Sequence, residues 1–484
     1  MSSPGPILSA AVRSRMALAG FCMLLAAPVV QADTFSITTN NDYGAGSLRQ
    51  AIEEANDRPG ADEIRFAVTG DIVLESMLPE VTDDLAIHGP GADVVAINGN
   101  GQYRLLKIAA GAVVEVTDIT LADGWVEGFE DDGNGGGILN AGTLTLRNVT
   151  LTDFEADRGG ALYNAPGAEL ALIGSLVEHS FAERGAGIYN AAGAQLNVAG
   201  STIAHVQADF DGGGIYSYEA DVVLTDSTIE DAEALQFGGA IANDGAFDSQ
   251  ASRGSLLMER STLSDNAAGY SGGGVYNHGQ HIRIRNSTLA GNHADITGGG
   301  GVYTDLEWAD VRLINSTLSD NHSDGGAGAV GNFMIYPSLV VLTQSTFVGN
   351  IGHDAAIEGT FASKNSIFDN EQGNCFVPVG GSFTDIGVNL SSDDSCGSFT
   401  QVTSAQLALG PLADNGGPTP THALLPGSVA IDAAPDCTDL DGEPIEADQR
   451  GIPRPADGDD DGTSVCDIGA FEVGTDVLFA NGFE

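Results

Sequence analysis

The chain has 484 residues, with 67 Asp and Glu against 18 Lys and Arg, a formal net charge of -49 at pH 7 and only two lysines, Lys107 and Lys364. Affinity for nucleic acid and for anionic lipid surfaces is driven by Lys and Arg, so this balance excludes both as general partners. It also disfavours acidic polysaccharides as substrates unless calcium bridges the charges; the ordinary role of such acidity is to keep a long exported chain soluble.

Residues 1–32 read as a secretory signal. Arg13 and Arg15 precede the apolar run Met16–Val30, and Val30-Gln31-Ala32 makes a small-residue cleavage site. The run is too short to span a bilayer, and no later segment is long and apolar enough to do so. Phe21 ahead of Cys22 disfavours a lipoprotein. Loss of the two arginines takes the mature chain from -49 to -51. The expected location is therefore secreted, either extracellular or on a bacterial cell surface, and the expected state is monomeric.

Residues 33–67 read as an N-terminal cap. Ser47 is placed to cap a helix whose Leu48, Ile52 and Ala55 form one apolar stripe, which would cover the open core of a first coil. The phrase GSLRQAI in this stretch resembles the core of the CSLREA-type region found at the start of many bacterial secreted β-helix proteins. Ser47 stands where that family has Cys, so the resemblance carries no thiol chemistry here.

Residues 68–370 read as a parallel β-helix. Short apolar strands come first (IRF straddling the cap, then IVL, LAIHGPG, VVAING and ITLADG), and two phrases then recur. A Gly-rich strand returns at Ile138, Leu162, Ile188, Ile215, Ile241, Val275, Val302 and Val330. An STI or STL phrase returns at Leu151, Val177, Ile203, Ile229, Leu263, Leu289, Leu318, Phe347 and Ile367, mostly in steps of 26 to 29. Such periods signal stacked supersecondary units. Alternation over four or five residues, as in QHIRIRN with Ile282 and Ile284 on one face and His281, Arg283 and Arg285 on the other, excludes helical repeats. Strands this short bury an apolar face only by stacking coil on coil.

Two asparagine ladders follow from the register. One uses Asn140, Asn164, Asn190, Asn243, Asn277 and Asn332; the other uses Asn266, Asn292, Asn321, Asn350 and Asn370. Their expected task is to satisfy turn backbone, not chemistry. Asn148, Asn286 and Asn315 match glycosylation sequons, but the repeat template generates that match by itself. Both phrases jump by 34 at one coil, which places an inserted loop in Asp244–Gly254, a candidate binding element or a neutral surface loop. Tyr163, Tyr189, Tyr216, Tyr276 and Tyr303 all take the outward position after the inward aliphatic residue, a column broken only by Ala242. Such a column either stacks on sugar rings or packs against itself.

Residues 371–475 carry the remaining four cysteines, Cys375, Cys396, Cys437 and Cys466, an even number that predicts two disulfides in an exported chain. Of three possible connectivities the local one, Cys375–Cys396 and Cys437–Cys466, is expected. The ordered phrases NGGPTPTHALLPGSVAID, DQRGIPRP and CDIGAFE resemble the choice-of-anchor Q domain. With the CSLREA-like cap, the resemblance covers roughly a fifth of the chain. It implies a secreted, surface-located, right-handed β-helix and no catalytic site. Within this region DGDDDG, Asp457–Gly462, matches the first half of an EF-hand loop, so Asp457, Asp459 and Asp461, with Asp467 reaching in, are the candidate calcium ligands. The alternative is a solvated acidic loop. Residues 476–484 form a tail ending in GFE.

Two function classes stay open. One is a surface scaffold that binds a cell-surface glycan or protein ligand, with no catalytic residue assigned. The other is a polysaccharide lyase or glycoside hydrolase, since many pectin-lyase-like β-helices cleave polysaccharide. A third, an autotransporter passenger, lacks the series of alternating strands that a barrel needs after Asn370. For a lyase the basic candidates on the coils are Arg147, Arg158, Arg184, Arg253, Arg260, Arg283, Arg285, Arg312 and Lys364.

Overall fold

The computed structural model describes residues 32–128, 133–245, 254–305, 309–332, 339–352, 357–370, 372–377 and 381–474. The signal segment, most of the inserted loop and the GFE tail lie outside the described residues. Residues from Ala32 onward form one compact unit.

Three stacks of parallel strands wind around a shared core. The first sheet has 14 strands in strict chain order, from Thr34–Ile37 to Phe383–Ile386. The second gathers the STI and STL strands, and the third has 11 strands from Leu106–Ile108 to Cys375–Phe376. Register runs coil to coil, with Leu162↔Ile188, Tyr163↔Tyr189 and Asn164↔Asn190 as neighbours, and likewise Thr288↔Thr317 and Leu289↔Leu318; it shifts by one residue between Ala182 and Arg184, which brings Arg184 opposite Asp211. The molecule is thus the expected parallel β-helix.

Alternation decides which side chains enter the core. Ile282 and Ile284 are buried while His281 and Arg283 are exposed, and Ile188 and Asn190 are fully buried. The core is one continuous apolar column of Ile, Leu, Val, Ala and Phe side chains that runs through the stacked coils. At the N-terminal end the helix Leu48–Asn56 closes it. Ser47 accepts from the Gln50 N–H, and Leu48, Ile52 and Ala55 are buried against the first coils. Arg49 of this helix is itself buried, paired with Asp42 at 2.7 Å and donating to the carbonyl of Ser76.

Polar ladders seal the turns. Asn140 donates to Asn164 and Asn164 to Asn190, both at 2.9 Å, and the second ladder runs Asn266, Asn292, Asn321, Asn350, Asn370 at 2.8–3.0 Å. A third ladder was missed in the sequence although its signal is the Ser of every STI and STL phrase. The backbone N–H of each serine donates to the hydroxyl of the next, through Ser175, Ser201, Ser227, Ser261, Ser287, Ser316, Ser345 and Ser366. The residue before it sits at positive φ, as at Asp226, Asn286, Asn315 and Asn365, which is why Asn and Asp recur there. Asn315 is buried and bonded to the Ala447 carbonyl, so its sequon is structural.

The C-terminal region folds back along the outside of the last coils. Thr317 donates to Gln449, Gln449 donates to Thr288, His422 Nε2 lies 3.0 Å from the Ser319 hydroxyl, and Lys364 pairs with Asp436 at 2.8 Å. The outward threonines of the STL strands are consequently buried at Thr288, Thr317 and Thr346, whereas Thr202, Thr228 and Thr262 of earlier coils are half-buried. Disulfides join Cys375 to Cys396 and Cys437 to Cys466, with Cα–Cα distances of 5.0 and 5.8 Å.

Candidate functional site

Strand alternation turns the residue after each inward Ile, Leu or Val away from the core, and parallel register stacks those residues one coil apart. Tyr163 and Tyr189 have ring centroids 5.1 Å apart, Tyr189 and Tyr216 5.0 Å, and Tyr276 and Tyr303 6.2 Å. The rings are not an open strip: the five tyrosines are only 5–9% exposed. Their faces are turned on one another, which is the self-packed one of the two alternatives that the column offered. Burial pushes the Tyr189 phenol up to about 12 and also raises those of Tyr216, Tyr276 and Tyr303. These four phenols are therefore protonated near neutral pH and none of them is a base. Truncating one ring removes two stacking partners at once, so Tyr189→Ser is expected to lower unfolding free energy by about 2 kcal/mol in urea melts.

The exception is the coil carrying Ala242. Phe237, from the turn before that strand, leans on Tyr276 at 4.5 Å, and a cavity of about 190 Å³ opens where the missing ring would sit. Aromatic walls come from Tyr216, Phe237 and Tyr276, polar groups from Arg184, Asp211, Gln236 and Asp244. Arg184 Nε donates to Asp211 at 2.9 Å. Asp211 is 8% exposed, its other oxygen has no hydrogen-bond partner, and burial raises its carboxyl above the ordinary range. Tyr216 donates to Asp244 at 2.7 Å. Behind the cavity, Tyr276 donates to Asp305 at 3.0 Å and His278 lies 2.7 Å from the same carboxylate. Burial pulls His278 down, but the bond and charge of Asp305 outweigh it and raise its pKa.

Sequence position and geometry converge at Asp244. It lines the cavity and also opens the inserted stretch of the 34-residue coil, whose residues 246–253 lie outside the described ones. The chemistry on offer is hydrogen bonding beside apolar ring faces. A lyase needs a free proton acceptor near a neutralised uronate; here two carboxylates face the space and its one cation is held by Asp211. Elsewhere on the coils, Arg147, Arg260, Arg285, Arg312 and Lys364 are also in ion pairs. Arg158 lies over the Tyr189 ring, and Arg253 is outside the described residues.

The acidic C-terminal loop is built differently from the expectation. Asp457 and Asp459 each accept the Asp461 N–H at 3.1 Å, while Asp461 accepts the Thr463 N–H at 2.7 Å. Asp467 is fully buried and turned inward, accepting the N–H groups of Asp432 and Val473; burial and the neighbouring Glu472 push its carboxyl up to about 7. It is not available to an ion. Asp432 takes its place: one carboxylate oxygen each from Asp432, Asp457 and Asp459 lie within 4.8 Å of one another. Asp432 lies 25 residues before the loop and closes the phrase NGGPTPTHALLPGSVAID, but nothing in that phrase ties it to a metal loop.

No protein-family model matches the chain, and no curated protein sequence matches it. Among solved structures, it is similar to a PL6 family alginate lyase AlyGC, with a TM-score of 0.46 and 13% identity over 87% of this chain and 58% of that one. It is also similar to the pectate lyase Pel9A, with a TM-score of 0.33 and 14% identity over 92% of this chain and 97% of that one. The chain thus spans less than two thirds of the alginate lyase. The likeness lies in the stacked parallel coils and carries no residue of either active site.

Proposed function

We propose that this protein is an exported, surface-located β-helix scaffold that binds a neutral glycan in the cavity beside Ala242. The cavity carries the reading: it is the one break in a self-packed aromatic column, and it sets ring faces next to carboxylates and a guanidinium. Sugar rings bind in that way, apolar faces on aromatics and hydroxyls on charged acceptors. The carboxylates select against uronic acids. The resemblance of both flanks to CSLREA-type and choice-of-anchor Q proteins supports the surface location. Filling the gap is the test. Ala242→Tyr installs the residue that neighbouring coils carry at this register, and Asp211→Asn removes the buried charge. Both are expected to lower glycan retention at least about tenfold, roughly 1.4 kcal/mol, with the fold retained by circular dichroism. Unchanged retention in both variants would exclude the cavity.

A glycoside hydrolase is the second reading, favoured by one observation. Asp211, whose carboxyl is raised by burial, and Asp244 line the same cavity, and glycoside hydrolysis uses a pair of carboxyl groups facing one space.

We also propose that Asp432, Asp457 and Asp459 hold calcium, whose hard oxygen ligands they match. Millimolar calcium is expected to raise the melting temperature by a few degrees, about 1 kcal/mol, and Asp457→Ala with Asp459→Ala to abolish the rise. A wild type indifferent to calcium would remove the site.

A further inference from the structure

We infer that two neighbouring coils build a site for a borderline divalent metal ion, of which Zn²⁺ is the representative. The sequence repeats one phrase, Asn292-His293-Ala294-Asp295 and Asn321-His322-Ser323-Asp324. Ladder asparagines fix both turns, and register pairs His293 with His322. Ala294 and Ser323 are buried at 0% and 1%, so alternation sends His and Asp of each coil outward on the same side. The result is two imidazoles and two carboxylates in one cluster.

His322 Nε2 lies 2.8 Å from Asp324 Oδ1. His293 Nε2 lies 3.9 Å from Asp324 Oδ2 and 3.5 Å from Asp295 Oδ1. One donor atom each from His293, His322 and Asp324 lie within 4.8 Å of one another, and the ring centroids are 4.9 Å apart. Zinc takes such ligands tetrahedrally at roughly 2.0–2.2 Å, so closure needs small rotations of these side chains. The His side chains are 41% and 43% exposed and free to make them. An independent observation points the same way: His293 Nε2 is shielded from solvent yet has no hydrogen-bond partner.

The donor set names the class of ion. Imidazole nitrogen favours zinc and later first-row metals over calcium, and two imidazoles with the Asp324 carboxylate leave one position of a tetrahedron for Asp295 or water. The cluster is bounded as well: the preceding coil offers Ala267 at this register and the next offers Ile351 against His322. It sits on the STI/STL sheet, away from the tyrosine column, and does not depend on the glycan reading. Bound metal would tie two coils together through their side chains.

The test is titration of untagged, chelator-stripped protein with Zn²⁺ in a background of millimolar Ca²⁺, followed calorimetrically and by melting temperature. One zinc per chain at about micromolar affinity is expected, with a raised melting temperature. His293→Ala, His322→Ala and Asp324→Asn should each weaken binding at least about tenfold. Melting in chelator checks that each variant is folded. No zinc uptake by the wild type, or uptake that survives the folded His variants, overturns the site.

Discussion

Asn321→Ala is expected to cost about 3 kcal/mol of unfolding free energy, read from urea melts at neutral pH. The side chain is fully buried and donates to the Leu289 carbonyl and to Asn350, each at 2.9 Å. Its oxygen accepts the Asn292 backbone N–H at 3.1 Å and the Asn292 amide at 2.8 Å. Truncation leaves the Leu289 carbonyl and the Asn292 N–H buried without these partners, and each such loss costs about 1–3 kcal/mol. Asn321→Ser should cost less, because Ser217 and Thr304 already serve as rungs in the other ladder, at 3.4 and 3.1 Å from the neighbouring amides. A cost below about 1 kcal/mol for the alanine variant would mean that water replaces the rung.

Arg454→Met is expected to release the C-terminal region from the coils at a cost of about 3–5 kcal/mol. The guanidinium and Glu472 are both 0% exposed and lie 3.4 Å apart. Arg454 also donates to the carbonyls of Asp467 and Gly469, at 3.0 and 2.7 Å. Glu472 in turn accepts the N–H groups of Ala456 and Asp467, at 2.8 and 3.0 Å. Without the cation, Glu472 is a buried charge with no counter-ion. Removing both charges, in Arg454→Met with Glu472→Gln, should recover part of the loss, because the pair's energy lies mostly in its mutual compensation. Limited proteolysis reads the effect: the single variant is cut in residues 403–474 faster than the double. Equal rates for wild type and single variant would show that the network does not hold the region down.

The solenoid was legible because its signals are local and repeated. Inward Ile188 and Asn190 flank outward Tyr189 in the sequence itself, and parallel register then copies one coil's geometry to the next. Both asparagine ladders and the cap helix followed for the same reason. What escaped were contacts between distant segments. The roles of Arg454 and Glu472, read only as parts of a resemblance, come from contacts between separate stretches of the C-terminal region, and Gln449 and His422 reach coils more than a hundred residues earlier. Asp467 was assigned to an ion because its spacing fitted a loop; burial and two backbone N–H groups claim it instead. The tyrosine column was seen, yet whether its faces were open depended on neighbours that periodicity does not describe. Ala242 was visible as a break, and the cavity beside it was not, since Phe237 stands where neighbouring coils carry Arg184, Asp211 and Ser271 and periodicity does not say where its ring leans.

Incubation of the purified protein with a panel of neutral and acidic polysaccharides is the deciding measurement, with retention, new reducing ends and unsaturated product followed together. The account predicts retention of a neutral glycan with neither product formed, and loss of that retention in Ala242→Tyr. Product from any polysaccharide, or retention confined to uronic-acid polymers, would contradict it.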